Sequence, residues 1–243
     1  MTIEAVVVAL AAFAIGFSKV GIGGGLGPLI TAVMALVFDP QVALAILLPI
    51  LIVGDAFSMA ALWGKWGMAE TLALMPGAVI GVAAGTYLIS SISPRGLRLS
   101  MGIVVLGFVV YFLVRPLLSA STRSVDSRWP GWLAGSAAGL TSALAHSGGP
   151  PVTIYLLFRR LQPVAFVATT VLVFTIVNLI KVPAYAAAGI FDWDLQLQFW
   201  WVLPLIPIGT LLGRKLVHRI NPVLFQRVMV ALLAVAGLML VLR

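Results

Sequence analysis

The chain of 243 residues is 62% hydrophobic and only 9% charged, with a mean hydropathy of +1.15, which excludes a water-soluble globular domain and identifies an integral membrane protein. Its formal charge of +8 sits mostly in short connections between apolar stretches, so membrane topology and anionic lipid account for it and nucleic acid is not implied. Cysteine is absent, which rules out disulfides, thiolate metal sites and thiol catalysis.

Apolar segments recur at 2–17, 25–38, 41–62, 71–90, 98–118, 129–146, 151–159, 163–187, 195–216 and 222–242. Most have the length of a helix crossing a ~30 Å hydrocarbon core, and the period-2 alternation of a membrane β-barrel is missing. The expected fold is therefore all-α, a polytopic transmembrane helical bundle forming a single membrane domain over 1–243. The first segment carries Glu4 and no basic start, so it reads as a membrane segment rather than a cleaved signal peptide. It ends at a glycine-rich break, Gly21-Ile-Gly-Gly-Gly-Leu-Gly-Pro28. A second break, His146-Ser-Gly-Gly-Pro-Pro151, follows the sixth segment. Unwound backbone at membrane depth is tolerated only where protein buries it or a polar cavity borders it, and paired breaks point to a transporter's substrate site.

The second five segments repeat the first five. Gly24-Gly25 falls on Gly148-Gly149, 124 positions on, and Asp39-Pro40 and Asp55 fall on Gln162-Pro163 and Asn178, 123 positions on. Pro76, Gly81, Gly85 and Ser93-Pro94 fall on Pro204, Gly209, Gly213 and Asn221-Pro222, 128 positions on. Repeat one covers 1–118, repeat two 129–243, and the polar linker 119–128 joins them. Asp39, Ser93 and Asn221, each before a proline, read as helix caps. Gly77, Gly81 and Gly85, and Gly209 with Gly213, have the spacing that lets helices approach closely in lipid. Trp63, Trp66, Trp129, Trp132, Trp193, Trp200 and Trp201 lie near span ends as an aromatic belt. Arg214, just inside the end of 195–216, reads as a snorkelling side chain. The positive-inside rule applied to Arg95 and Arg98, Arg159 and Arg160, and Arg214, Lys215 and Arg219 would make the repeats parallel. Re-entrant hairpins at the glycine breaks would make them inverted, and the sequence leaves both open.

A charge within a span costs roughly 2.5–3.5 kcal/mol or more, so each one calls for a function. Lys19 precedes the first break, Asp55 lies within 41–62, His146 opens the second break, and Asn178 and Lys181 share a helix face three residues apart. Lys19 and Lys181, with the helix starts after Gly23, Gly24 and Gly25 and after Gly148 and Gly149, would receive a small anion. Asp55 neutralises one of the lysines as a structural ion pair, or releases its lysine on protonation and so couples anion movement to a proton, and the two readings can coexist. His146 either titrates as a second coupling group or holds the loop by a hydrogen bond. No HExxH or GxSxG occurs, and the Gly21–Gly27 run lacks the Lys-Ser/Thr of a phosphate loop, so an enzyme is not expected, and neither a catalytic residue nor a metal or cofactor.

The strings Gly16-Phe-Ser-Lys-Val-Gly-Ile-Gly-Gly-Gly-Leu-Gly27, Ala45-Ile-Leu-Leu-Pro-Ile-Leu-Ile-Val-Gly-Asp55, Ala145-His-Ser-Gly-Gly-Pro-Pro-Val152 and Val177-Asn-Leu-Ile-Lys-Val-Pro183 resemble the TauE/SafE sulfite exporter family, in the family's order. His146-Ser147 departs from the glycine run of many members. The resemblance implies a multi-pass protein of the bacterial cytoplasmic membrane that exports sulfur-containing anions such as sulfite or organosulfonates. It points to Lys19, Gly23 to Gly25, Asp55, His146 to Gly149, Asn178 and Lys181. The alternatives are an anion channel, or an importer of another oxyanion or carboxylate. Oligomeric state, a homo-oligomer included, is left open.

Overall fold

A computed structural model describes residues 2–21, 26–118, 129–216 and 221–243. The described residues form helices α1 (Ile3–Gly21), α2 (Gly27–Val37), α3 (Pro40–Ala61), α4 (Met68–Ser91), α5 (Pro94–Leu118), α6 (Trp129–Ala145), α7 (Gly149–Phe158), α8 (Pro163–Ala187), α9 (Trp193–Gln198), α10 (Leu205–Leu216) and α11 (Pro222–Leu242). Five of them (α3, α4, α5, α8 and α11) contain stretches long and apolar enough to cross a membrane. The expected caps form: Asp39 accepts from the Gln41 amide at 3.1 Å, Ser93 from Gly96 at 3.2 Å, and Asn221 from Val223 and Leu224 at 3.0 and 3.1 Å. Each satisfies amide groups that a helix start leaves without an internal partner.

The segment expected as one span over 195–216 is instead broken. α9 passes through a 3₁₀ turn, Trp200–Val202, before α10 begins. Pro204 and Pro207 supply no amide hydrogens there, which removes two helical hydrogen bonds within a single turn.

Helix directions follow from the glycine contacts. Along α4, Gly77 meets Trp132 and Ser136, Gly81 meets Ser136 and Leu140, and Gly85 meets Leu140 and Ala143, so α4 and α6 run parallel. α6 contributes its own row, with Gly131 on Ala73, Gly135 on Leu74 and Ala78, and Gly139 on Ala78 and Val82. The second parallel pair is α1 with α10, where Gly16 lies on Ile206, Gly209 on Phe13 and Phe17, and Gly213 on Phe17. Gly102 on Val241 and Gly237 on Leu106 make α5 and α11 antiparallel.

These contacts define two membrane faces. At the first, the Gly67 amide donates to Thr169 Oγ1 at 2.8 Å and Arg159 pairs with Glu70 at 3.4 Å, so the end of α7 and the start of α8 lie beside the start of α4. α6 and α7 therefore enter and leave by this face as a hairpin. At the opposite face, Gln41 Nε2 donates to Ile89 O at 3.0 Å and Arg243 to Leu36 O at 2.9 Å, placing the end of α2 beside the ends of α4 and α11. α1 and α2 form a second hairpin from that side. Trp63, Trp129 and Trp132 are exposed toward the first face, and Trp193 and Trp200 toward the second, as an aromatic belt requires. Arg214 is exposed, in keeping with a snorkelling side chain.

The α4–α6 interface leaves no room for a β-carbon, since one at Gly135 would overlap the Leu74 carbonyl, whereas Gly107 faces open space. Gly135→Ala is expected to lower stability by about 1–3 kcal/mol, the usual cost of overpacking. Gly107→Ala is expected to be neutral or slightly stabilising, because alanine favours helix. Thermal unfolding of the two variants in detergent, followed by tryptophan fluorescence, checks both.

Candidate functional site

The intramembrane polar residues converge where the tips of the two hairpins meet α3 and α8. The tips adjoin: a β-carbon at Gly27 would lie 3.3 Å from the His146 carbonyl. α3 presents Asp55, 2% exposed, and α8 presents Asn178 and Lys181, the latter fully buried. Lys19 enters from the end of α1, and His146 and Ser142 from the end of α6.

Asp55 is shared. Its Oδ1 takes the ion pair from Lys19, and its Oδ2 accepts from Asn178 Nδ2 at 2.7 Å. Lys19 also donates to the Leu51 carbonyl at 2.8 Å. Of the two lysines weighed in the sequence, Asp55 thus neutralises Lys19. Among the described residues Lys181 has only neutral partners: its Nζ reaches Ser142 O at 3.3 Å, Ser142 Oγ at 3.1 Å and His146 Nδ1 at 2.8 Å. His146 Nε2 lies 3.3 Å from the Leu44 carbonyl. A carbonyl only accepts, so the ring hydrogen sits on Nε2, and Nδ1 is the acceptor that faces Lys181. His146 therefore does hold the loop by a hydrogen bond, and it also ties the tip of the α6–α7 hairpin to both α3 and α8.

His146 has φ +48°. This left-handed conformation, where α6 ends, is ordinary for glycine and unfavourable for a residue with a β-carbon. Its retention here goes with the two contacts that its ring makes.

The second glycine break is poor in amide donors. Gly148 and Gly149 retain amide hydrogens, but Pro150 and Pro151, next in the first turn of α7, have none. Gly148 serves packing, because a β-carbon there would lie 2.7 Å from the Ala138 carbonyl; Gly149 has only the Phe108 ring at ordinary contact distance. Ser147 turns its hydroxyl to the Ala145 carbonyl at 2.9 Å. Gly23, Gly24 and Gly25 lie outside the described residues.

Two further side chains belong to the cluster. Ser142 contributes both its hydroxyl and its carbonyl to Lys181, and the buried Tyr185 hydroxyl donates to Ala143 O at 2.6 Å. Both follow a helical signal, Ser142 lying four residues before His146 and Tyr185 four after Lys181. Pro49 adds a third feature. It leaves the Ala45 carbonyl without its helical donor, and Gln196 Nε2 supplies one at 3.1 Å.

Replacing His146 separates its backbone from its ring. His146→Gly is expected to be about 1 kcal/mol more stable than His146→Ala, because both lose the ring contacts and only glycine relieves the left-handed backbone. Comparison of their unfolding midpoints in detergent measures the difference.

Residues 8–240 match the family described as Sulfite exporter TauE/SafE. The chain is 29% identical over 237 residues to a protein of Cupriavidus necator named "Probable sulfite/organosulfonate exporter TauE", an alignment covering 95% of this chain and 86% of the relative. It is 28% identical over 172 residues to "Probable inner membrane transporter protein TsaS" of Comamonas testosteroni, covering 69% of this chain and 70% of that one. No solved structure matches it. With the family's pattern running over almost its whole length and its polar motifs gathered at one buried cluster, the chain belongs to the TauE/SafE sulfite exporter family.

Proposed function

We propose that this protein is a secondary transporter that exports a small sulfur oxyanion, sulfite or a short organosulfonate, across the bacterial cytoplasmic membrane. The observation that carries the reading is the pair of lysines at the meeting point of two opposed hairpins, only one of them, Lys19, paired with a described carboxylate. Cationic groups inside a membrane are costly and mark the path of a substrate of opposite sign. The names of the family and of the relative from Cupriavidus necator support sulfur anions as that substrate.

The halves 1–118 and 129–243, joined by the linker 119–128, are read as inverted copies. In support, Gly139 on Ala78 corresponds to Gly16 on Ile206, and Gly81 on Ser136 and Leu140 to Gly209 on Phe13 and Phe17. Those pairs are related by the offsets of 123 and 128 positions that relate the sequence motifs. Each hairpin packs against the fourth segment of the other half. Rocking of these paired units would open the cluster to one side and then the other.

Basic residues orient the molecule. Lys65, Arg159, Arg160, Arg214, Lys215 and Arg227 lie toward the Gly67 face, against Arg95, Arg98 and Arg243 toward the opposite one. The positive-inside rule makes the Gly67 face cytoplasmic, so the α6–α7 hairpin enters from the cytoplasm. The natural absence of cysteine gives a direct check. A membrane-impermeant maleimide applied to intact cells is expected to label Arg95→Cys and to spare Lys65→Cys.

In proteoliposomes, labelled sulfite or a short sulfonate is expected to move with saturable kinetics. Lys181→Ala is expected to reduce that flux at least tenfold. Flux of none of these anions, or flux indifferent to Lys181, would refute the reading, and a rate rising without saturation would indicate a channel.

A further inference from the structure

We infer that the site selects its substrate by charge and accepts a monoanion in preference to a dianion of similar size. The inference rests on the anion-transport reading above and adds a rule to it. Of the seven acidic residues, Glu4, Asp39, Glu70, Asp192 and Asp194 stand at helix starts, Asp126 lies outside the described residues, and Asp55 alone stands within the body of a described helix. Both oxygens of the Asp55 carboxylate are engaged, with Lys19 on one and Asn178 on the other. Lys19 is thereby neutralised in place.

Lys181 is different. It is fully buried, no described carboxylate lies within ion-pair distance of it, and its partners are a carbonyl, a hydroxyl and an imidazole nitrogen. The three hydrogens of an ammonium meet three neutral acceptors. Two ammoniums and one carboxylate leave the cluster with a single uncompensated positive charge. A buried charge is strongly penalised until it is matched. One negative charge brought to Lys181 completes the match. A second would enter the same low-dielectric region with no cation to meet it, because Lys19 is already held by Asp55.

The rule applies most directly to sulfonates carrying one charge and to hydrogensulfite, and disfavours disulfonates and sulfate. Discrimination of this kind comes from the unmatched charge of the wrong ligand as much as from contacts to the right one.

The test uses two strong-acid anions of similar length whose charges do not vary with pH, 1-propanesulfonate and 1,2-ethanedisulfonate, in proteoliposomes containing the full chain. Wild type is expected to carry the monoanion at least tenfold faster than the dianion. Asp55→Asn frees Lys19 and raises the charge of the site by one, so the ratio of monoanion to dianion flux is expected to fall at least tenfold. Protection of the wild-type protein against thermal unfolding by the same two anions reads the preference without any variant. Equal or greater flux and protection by the dianion in wild type would overturn the charge rule while leaving the sulfur-anion transporter standing. A ratio unchanged in a folded Asp55→Asn protein would also overturn it. If neither sulfonate is carried or bound, the substrate reading falls and the charge rule with it.

Discussion

The structure is organised around the need to match a buried carboxylate. A charge in the middle of a bilayer is tolerated when protein surrounds it and supplies opposite charge and hydrogen bonds. Asp55 obtains both from different elements, an ammonium from the end of α1 and an amide from α8. The tip of the first hairpin, the long helix that follows it and a helix from the second half are thereby fixed relative to one another. Removing any one partner would leave a buried polar group exposed to apolar surroundings, which is why such groups act together rather than as separate contacts.

Burying charge this deeply requires helices that approach closely, and glycine provides the approach. Lipid offers no hydrophobic drive for helices to associate, so association depends on close packing of small residues. The rows on α4 and α6 bring the two backbones into direct contact, and Gly16, Gly209 and Gly213 do so for α1 and α10. Each hairpin is thus gripped by a helix from the other half of the chain. That exchange joins each hairpin and its gripping helix into a unit; α3 packs on α1, α2 and α10, and α8 on α4 and α7, so the α3–α8 crossing, where Asp55 and Asn178 meet, is where the two units bear on one another.

Much of this was legible in the sequence because it is local. Proline after Asp39, Ser93 or Asn221 marks a helix start whatever the helix later packs against, and Asn178 and Lys181 share a face because three residues nearly complete a turn. The spacing of Gly77, Gly81 and Gly85 announced a close interface but not its partner; the matching row Gly131, Gly135 and Gly139 appears only when the two helices are placed together. The pairing of Asp55 with Lys19 rather than Lys181 depends on where the α1 tip stops. The break between α9 and α10 was hidden because its residues remain apolar, and hydropathy does not register a missing amide hydrogen. Ser142 was passed over for a related reason, since half its contribution to Lys181 is a carbonyl, which sequence does not distinguish from any other.

The way the site satisfies itself bears on how it can release what it binds. Lys181 is not left bare in this state. Ser142 and His146 occupy its donors, and His146 is held in an unfavourable backbone conformation while doing so. On the proposed reading, an anion arriving at Lys181 would exchange hydrogen bonds from the ammonium to neutral acceptors for hydrogen bonds to an opposite charge, and would gain the charge match rather than a whole new set of hydrogen bonds. Since His146 also contacts the α3 carbonyl of Leu44, displacing its ring from Lys181 changes how the hairpin tip is tied to α3 and α8. In the proposed transport cycle one imidazole would link binding to the relative position of the two units, which gives a chemical reason for a histidine where the backbone would favour glycine.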